Sequence, residues 1–404
     1  MLISDYNYPL PPGLIAQHPL ADRDGSRLLV MRNGSISGDV FRNIGNHLPP
    51  GSLLVFNDTR VIRARLIFRK TSGASIEIFL IEPLAPESEL QQAFLQRKQA
   101  TWKCLVGNVK RWKEGLLRKE VQHSNSGLVT LMAALDGPLE DGCFSVTFTW
   151  DPPEKSFAEM VSLAGLVPLP PYITRDTDDD DTLRYQTIYA ENDGSVAAPT
   201  AGLHFTDQLM KSLEKLGIGF AKVTLHVGIG TFRPVTRPEV KDHLMHSEKI
   251  VVTRETLQRL LKHGDNPVIA VGTTAARTLE SLYWAGTKLI GSEYSGPVTV
   301  EQWDPYAPDQ QSGISVAEAI EAILHFLDLN HLPAYTGETH LMIIPGYRYR
   351  LVSALITNFH MPQSTLLLLV AALVGDQWKA AYDFALREQF RFLSYGDSCL
   401  FFKR

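Results

Sequence analysis

The chain has 404 residues, 44% of them hydrophobic, and a net charge of -5; this composition provides a sizeable core, allows more than one domain and argues against indiscriminate coating of nucleic acid. Its three cysteines, Cys104, Cys143 and Cys399, lie far apart without a CxxC pair, which excludes the common zinc and disulfide spacings and suits a reducing cytoplasm. The first residues hold no basic segment followed by an apolar core, and the longest apolar run, 366–374, is too short to span a bilayer, so a cytoplasmic protein without a membrane partner is expected.

Residues 1–26, rich in Pro, Asp and Arg, read as an extended arm. RLLVMR, Asn33-Gly34 and SISGDVF predict a hairpin, because Asn-Gly favours the tight turn that matches strand twist. GSLLVFN is a short buried strand that delivers Asn57, Asp58, Thr59 and Arg60. The pattern then breaks into short β runs, of which CFSVTFTW alternates with Phe144, Val146, Phe148 and Trp150 on one face. Short strands separated by turn signals predict a small β-barrel at 61–150, inserted into an α/β domain made of 1–60 and 151–404. Between Arg97 and Lys119 basic residues dominate. Lys103, Lys110, Arg111 and Lys113, interleaved with Trp102 and Trp112, suit a nucleic-acid surface and equally a solvated basic face.

The aspartates at 176–181 lack the glycine and glutamate of a calcium loop and read as solvated loop. Tyr185 to Thr206, YQTIYAENDGSVAAPTAGLHFT, has almost no bulk from Gly194 to Gly202, a run that includes Ser195 and Thr200 and leads to His204. Two readings fit it: a cradle in which small residues let a ligand approach the backbone, or a tightly packed turn. Beyond it strands and helices alternate. Thr206 caps a helix over 207–216, and strand FAKVTLHV puts His226 on one face with Lys222 and Thr224 before Gly228-Ile229-Gly230-Thr231-Phe232. A buried strand at 268–271 leads through Gly272, Thr273 and Thr274 into helix AARTLESLYW. Another at 354–356 leads through Thr357-Asn358-Phe359-His360 into a helix capped by Ser364. Between them 286–333 reads as a wetter insertion with a Ser315-x-x-Glu318 capping box, and the chain ends in a helix at 377–389 and the strand-like RFLSYGDSCLFF. The expected fold is α/β, a main domain with a mixed sheet plus the inserted barrel.

Ligands of α/β folds bind beyond strand ends. The helix starts at Thr274 and Ser364 offer backbone N–H groups to a carboxylate or phosphate. The glycine pair of HVGIG lacks a third glycine and an immediate helix, so no Rossmann site is expected. His243, His246 and Glu248 cluster without HExxH spacing, which favours acid–base, positioning or structural roles over a metal site. Arg277 suits a carboxylate clamp and equally an ion pair; Asp397 suits a catalytic acid or a turn.

LPPGLIAQHPLADRDGSRLLV, LVFNDTRVIRARL, LPPYITR, RYQTIYAENDGSVAAPTAGLHFT, TLHVGIGTFRPV, HLMHSE, AVGTTAARTLES, LITNFHMPQSTLLLLVAA and RFLSYGDSC closely resemble, in order, the S-adenosylmethionine:tRNA ribosyltransferase-isomerase family of queuosine biosynthesis. The resemblance implies an α/β domain joined to a small β-barrel, S-adenosylmethionine as co-substrate, no metal or redox cofactor, and a partner tRNA with a 7-deazaguanine wobble base. It implies transfer and isomerisation of the ribosyl part of S-adenosylmethionine onto 7-aminomethyl-7-deazaguanine, giving epoxyqueuosine with release of adenine and methionine. A base removes the proton beside the sulfonium, adenine leaves, the amine attacks, and an epoxide forms as methionine departs. His204, His226 and His246 are then candidates for base or acid, and Asp397 for holding an amine or an adenine nitrogen. Phe232, Phe359 and Tyr395 are candidates for facing the sulfonium, and Arg277 for the methionine carboxylate. Asn57, Asp58, Arg60, Tyr185, Ser195, Thr200, Gly228, Gly230, Thr273, Thr274, Asn358, His360 and Ser364 complete the expected substrate-binding set. The sequence departs from the family in Ala275-Ala276 where Ser-Val is common, in SYGDSC for SYGDAM, and in extra length near 286–312 and in the barrel, features that bear on the acceptor more than on the fold. A monomer is expected.

Overall fold

The computed structural model describes residues 1–70, 72–113, 115–123, 127–228, 237–290, 296–307 and 313–404. A hairpin of β1 (Arg27–Arg32) and β2 (Ser35–Val40) turns at Asn33 and Gly34, whose φ angles of 50° and 80° are those the Asn-Gly pair favours. β3 (Leu53–Asn57) and the short β4 (Thr59–Val61) lead into β5 (Arg65–Arg69), β6 (Ser75–Ala85), helix α1 (Leu90–Leu95), β7 (Gln99–Gly107), β8 (Leu117–His123), β9 (Gly127–Pro138) and β10 (Phe144–Asp151). β5 to β10 form an antiparallel sheet in the order β5-β6-β7-β10-β9-β8, and its two edge strands come side by side so that it nearly closes as a barrel. Strand alternation fills it: Trp102 and Cys104 of β7, Leu131 and Ala133 of β9, and Val146, Phe148 and Trp150 of β10 are all buried. Phe94 of α1 and Phe157 of α2 (Phe157–Ala164), a helix started by a Ser156–Glu159 capping box, join the same core.

That alternation corrects one expectation. Trp102 and Trp112 are 1% and 3% exposed and belong to the barrel core, so neither provides a stacking platform among the basic residues. Lys103 points the other way from Trp102 and pairs with Glu82 at 2.7 Å, while Lys110, Arg111 and Lys113 are exposed.

The chain continues through α3 (Asp181–Arg184), β11 (Asn192–Ser195), α4 (Asp207–Lys215), β12 (Gly219–Leu225), β13 (Glu248–Thr253), α5 (Arg254–His263) and β14 (Val268–Val271). α6 (Thr273–Leu289), β15 (Thr299–Val300), α7 (Val316–Leu329), β16 (Ala334–Thr339), β17 (Val352–Asn358), α8 (Thr365–Val374), α9 (Gln377–Arg387) and β18 (Ser398–Phe402) complete it. A mixed sheet runs β15-β16-β13-β12-β3-β14-β17-β18-β1-β2. Within it β12, β3, β14 and β17 are mutually parallel, so their carboxyl ends share one edge. Helices α5 to α9 pack on one face of this sheet, and α4 with the 3-10 turn Phe41–Asn46 packs on the other. No helix among the described residues is long and apolar enough to cross a membrane.

Three more expectations change. The segment read as a wetter insertion begins inside α6, which is buried along nearly its whole length and presses Gly286 onto Ala319 of α7. The aspartate run is not all solvated. Asp181 is 1% exposed because Arg175 binds both its oxygens at 2.7 Å, a charge-assisted fork that compensates for lost water. The final strand is shorter than RFLSYGDSCLFF suggests. Asp397 draws 391–397 into a turn by accepting the Arg391 and Arg27 N–H groups at 2.8 and 3.0 Å.

Candidate active site

The segment after β11 is the seam of the molecule. Val196 belongs to the barrel core, Ala197 to the core under α6, Ala201 and Phe205 to the core on the opposite sheet face, and Ala198 and Leu203 to a fourth cluster. Small side chains are needed because four cores converge there. Phe205, fully buried, anchors the segment edge-on between Phe41 and Phe56, each 5.0 Å away. Gly202 is required by packing: a Cβ there would lie 1.9 Å from the Tyr189 hydroxyl. The remaining small residues, 197–201, wall a cavity of about 420 Å³. Packing thus accounts for Val196, Gly202 and Phe205, while residues 197–201 border open space.

This cavity lies at the carboxyl ends of β14 and β17. Gly272, Thr273 and Thr274 bring the start of α6 to it, and Ser364, Thr365 and Leu366 bring the start of α8. Two helix N-termini therefore turn their unpaired N–H groups and positive dipole ends toward one space. The Thr274 hydroxyl is buried there and has no partner among the described residues. Ser364, the N-cap of α8, accepts the Leu367 N–H at 3.2 Å. Tyr172 and Tyr185 line another part of the wall. Burial pushes the Tyr172 phenol up to about 12 and the Tyr185 phenol well above its ordinary value, so both stay protonated.

A polar chain runs through the wall. Thr200 donates to Asn358 Oδ1 at 2.8 Å, Asn358 Nδ2 meets His204 Nε2 at 3.1 Å, and His204 Nδ1 meets Ser26 Oγ at 2.8 Å. Thr200 and Asn358 face the cavity, whereas His204, 5% exposed, stands one residue behind them. Burial, with Arg391 nearby, lowers the His204 pKa to about 3. His360 lines the cavity itself; Nε2 pairs with Thr357 Oγ1 at 2.9 Å, and burial lowers its pKa to about 3.

The other predicted residues do not gather here. Phe359 lines the cavity, but its ring is fully buried among Tyr382, Phe390 and Phe392. Tyr395 turns away and donates to Asp181 at 2.8 Å, and Asp397 is occupied by the backbone of its own turn. Arg277 forms a buried ion pair with Glu248 and donates to the Leu341 carbonyl, facing a small separate cavity that His246 also lines. His226 and Asp58 line another cavity, separate from both. Asn57 pairs with both backbone groups of Leu225, Ser195 clasps Ala197 and Val227, and Arg60 donates to the Ala190 carbonyl. Gly228 lines neither cavity, and Gly230 and Phe232 lie outside the described residues. No group of three or more His, Cys, Asp or Glu among the described residues is arranged to hold a metal.

The model of the family described as "Queuosine biosynthesis protein" matches residues 3–401. The chain belongs to the queuosine biosynthesis protein family. Its relatives in this family include proteins named S-adenosylmethionine:tRNA ribosyltransferase-isomerase from Pelobacter propionicus, 38% identical over 98% of this chain and 99% of that protein, and from Thermotoga maritima, 40% identical over 99% of each. A crystal structure of S-adenosylmethionine tRNA ribosyltransferase from Thermotoga maritima is 32% identical, covers 98% of this chain and 99% of its own, and superposes with a TM-score of 0.47. Near-complete coverage on both sides overturns the expected extra length: against these members of the queuosine biosynthesis protein family the chain is of ordinary size. Two wall residues escaped the sequence reading although both stand inside stretches quoted for the family, Tyr172 in LPPYITR and Ser26 in DGSR. The signal was present, but nothing local says that these side chains meet residues from 180 onward.

Proposed function

We propose that this chain transfers and isomerises the ribosyl part of S-adenosylmethionine onto 7-aminomethyl-7-deazaguanine at the wobble position of a tRNA, releasing adenine and methionine. One observation carries the reading: two helix N-termini and the unpartnered Thr274 hydroxyl converge on a cavity whose wall also holds two tyrosine rings. Such a space has a polar end for an amino-acid carboxylate and an electron-rich side for a sulfonium. The names of the relatives pair those two substrates, S-adenosylmethionine and tRNA.

In this reading the carboxylate rests on the first turns of α6 and α8, so backbone N–H groups and Thr274 take the role expected of Arg277. Tyr172 and Tyr185, held neutral, cover the sulfonium and do not compete as bases. His360, neutral because burial disfavours its cation, accepts the proton that the sulfonium acidifies. A base this weak leaves most of the acidification to the sulfonium. Asn358, held by His204, is a positioning residue that fixes the Thr200 hydroxyl at the wall. We assign the cavity to a unit of residues 1–60 and 151–404 and tRNA contact to the inserted barrel at 61–150, with a cytoplasmic monomer as the working form. The barrel shares its core with α2, which ties the two units together.

The test is incubation with S-adenosylmethionine, with and without tRNA carrying the aminomethyl-deazaguanine, followed by measurement of adenine and of nucleoside mass. Adenine released only with that tRNA, together with the heavier nucleoside, is the expected result. Release with RNA lacking that base points to another acceptor, and failure to bind S-adenosylmethionine overturns the reading. Thr274→Val is expected to weaken S-adenosylmethionine binding about tenfold, since a hydrogen bond to a charged group contributes about 1.5–3 kcal/mol.

A further inference from the structure

A small pocket adjoins the first cavity: Ser394 lines both, and Ser26 and His204 of the polar chain form part of the pocket wall. Arg23, Arg184 and Arg391 reach it from three parts of the chain, and no Asp or Glu is among its described lining residues. All three guanidiniums donate to carbonyls. Arg23 Nη1 donates to those of Gln186 and Leu203 at 2.9 and 3.3 Å and Nη2 to that of Leu183 at 2.8 Å; Arg184 binds those of Leu20 and Ala21, and Arg391 that of His18 at 3.4 Å. These bonds staple the N-terminal arm to the rest of the molecule, but a carbonyl carries no net charge. Among the described residues Arg23 and Arg184 have no carboxylate within ion-pair distance. Arg391 Nε stands 3.7 Å from Asp397, whose two oxygens already accept backbone N–H groups.

Charge and size narrow the ligand. All three arginines are partly buried, and burial, with Arg184 close by, lowers the Arg23 pKa. Positive charge gathered with reduced hydration and little countercharge costs free energy that a bound anion recovers. The pocket, of about 20 Å³, excludes a base or a sugar and admits one oxygen-sized group. A phosphate fits this description, with one oxygen seated in the pocket and the others over the partly exposed guanidiniums, whose five N–H donors each exceed the carbonyls they bind. The proposed reaction offers two anions, the carboxylate of S-adenosylmethionine and the tRNA phosphates. The carboxylate has the starts of α6 and α8, and none of these arginines lines that cavity. A nucleobase entering the first cavity brings its own backbone phosphates to the edge of it, and Ser394 joins the two spaces.

We propose that Arg23, Arg184 and Arg391 bind one tRNA backbone phosphate next to the nucleotide being modified, and so hold its base in the first cavity. The proposal rests on the reading of the chain as a tRNA-modifying enzyme. It adds an RNA contact on the α/β unit to the one assigned to the barrel.

The test is binding of fluorescein-labelled tRNA anticodon stem-loops to the full chain, measured by anisotropy, with each loop phosphate replaced in turn by a neutral methylphosphonate. One phosphate flanking the wobble nucleotide is expected to lose about tenfold in affinity, the equivalent of about 1.4 kcal/mol. Arg391→Gln, which keeps an amide donor for the His18 carbonyl, is expected to lose a similar factor on unmodified RNA and to be indifferent to that one replacement. Arg391→Lys, which keeps the charge, is expected to remain sensitive to it. Both variants are expected to bind S-adenosylmethionine, by calorimetry, as the wild type does. A flat scan with the wild type overturns the proposal, and so does a scan in which Arg391→Gln loses as much as the wild type at every position. Weakened S-adenosylmethionine binding by Arg391→Gln overturns it in favour of the carboxylate. If the unmodified RNA supports adenine release yet shows no such coupling, this inference alone fails; if it supports no adenine release, the functional reading fails first and takes this one with it.

Discussion

The Asn358 amide settles the state of His204 by simple donor counting. Its Oδ1 accepts from Thr200 and its Nδ2 is shared between His204 Nε2 and the Asp397 carbonyl, at 3.1 and 3.4 Å, so Nε2 is the acceptor and the ring proton sits on Nδ1, toward Ser26. The ring is a neutral spacer whose geometry depends on staying neutral. His360 and His226 are likewise neutral in the resting protein, their pKa values lowered by burial to about 3 and about 4. An unfolded histidine takes up its proton near 6.5. Between that pH and the folded values the unfolded chain binds more protons, so stability present above pH 6.5 is lost as pH falls toward 4. Urea unfolding is therefore expected to show a midpoint that drops steadily across this window, and His204→Gln, which removes one of the three groups, is expected to flatten the drop. A variant profile parallel to the wild type would show that His204 does not carry the dependence. Sequence reasoning named His204 as a base or acid candidate and Thr200 and Asn358 as substrate-binding candidates; the structure links the three by hydrogen bonds, and their order within the wall depends on a contact between residues 158 apart in the chain that no local pattern encodes.

Elements were legible where a local rule acts alone. Asn33-Gly34 turns the first hairpin, and Thr206, Ser315 and Ser364 cap α4, α7 and α8 as their residue types suggest. α6 was legible as a helix but not as a buried one, because Arg277 and Glu280 give it the look of a surface helix. Their partners come from far away: Glu248 binds Arg277, and Glu280, fully buried, accepts the N–H groups of Arg350, Leu351 and Val352 and the Tyr347 hydroxyl at 2.7–3.0 Å. α6 can lie so deep only if α7 comes close, and Gly286 allows that approach. A Cβ at 286 would stand 2.2 Å from the Ala319 carbonyl oxygen, which is backbone and cannot rotate away. Gly286→Ala, favourable by helix propensity alone, is expected to destabilise the protein by about 1–3 kcal/mol through overpacking, read as a lowered urea midpoint with an unchanged slope. An equal or higher midpoint would mean that the crossing relaxes freely and that Gly286 does not set its distance.

At the scale of the whole molecule, the seam from β11 to α4 makes barrel and α/β sheet one mechanical object. Asn192 to Ser195 pairs with β4 and Val196 enters the barrel core, while the next residues wall the first cavity. One continuous segment thus joins the barrel core to the cavity wall, and it is the connection on which the proposed tRNA contact by the barrel relies. The chain carries a net charge of -5, so its grip on a polyanion must be local. Lys110, Arg111 and Lys113 stand exposed together on the connection between β7 and β8, with Trp112 turned inward beneath them. If these side chains neutralise tRNA phosphates, each contributes one released counterion to the salt dependence of binding. Replacing all three with Glu is expected to weaken tRNA binding, to reduce the slope of log affinity against log salt by about 2–3, and to leave S-adenosylmethionine binding by calorimetry unchanged, since the first cavity does not include them. An unchanged affinity and slope would move the tRNA contact from this turn to another face of the molecule.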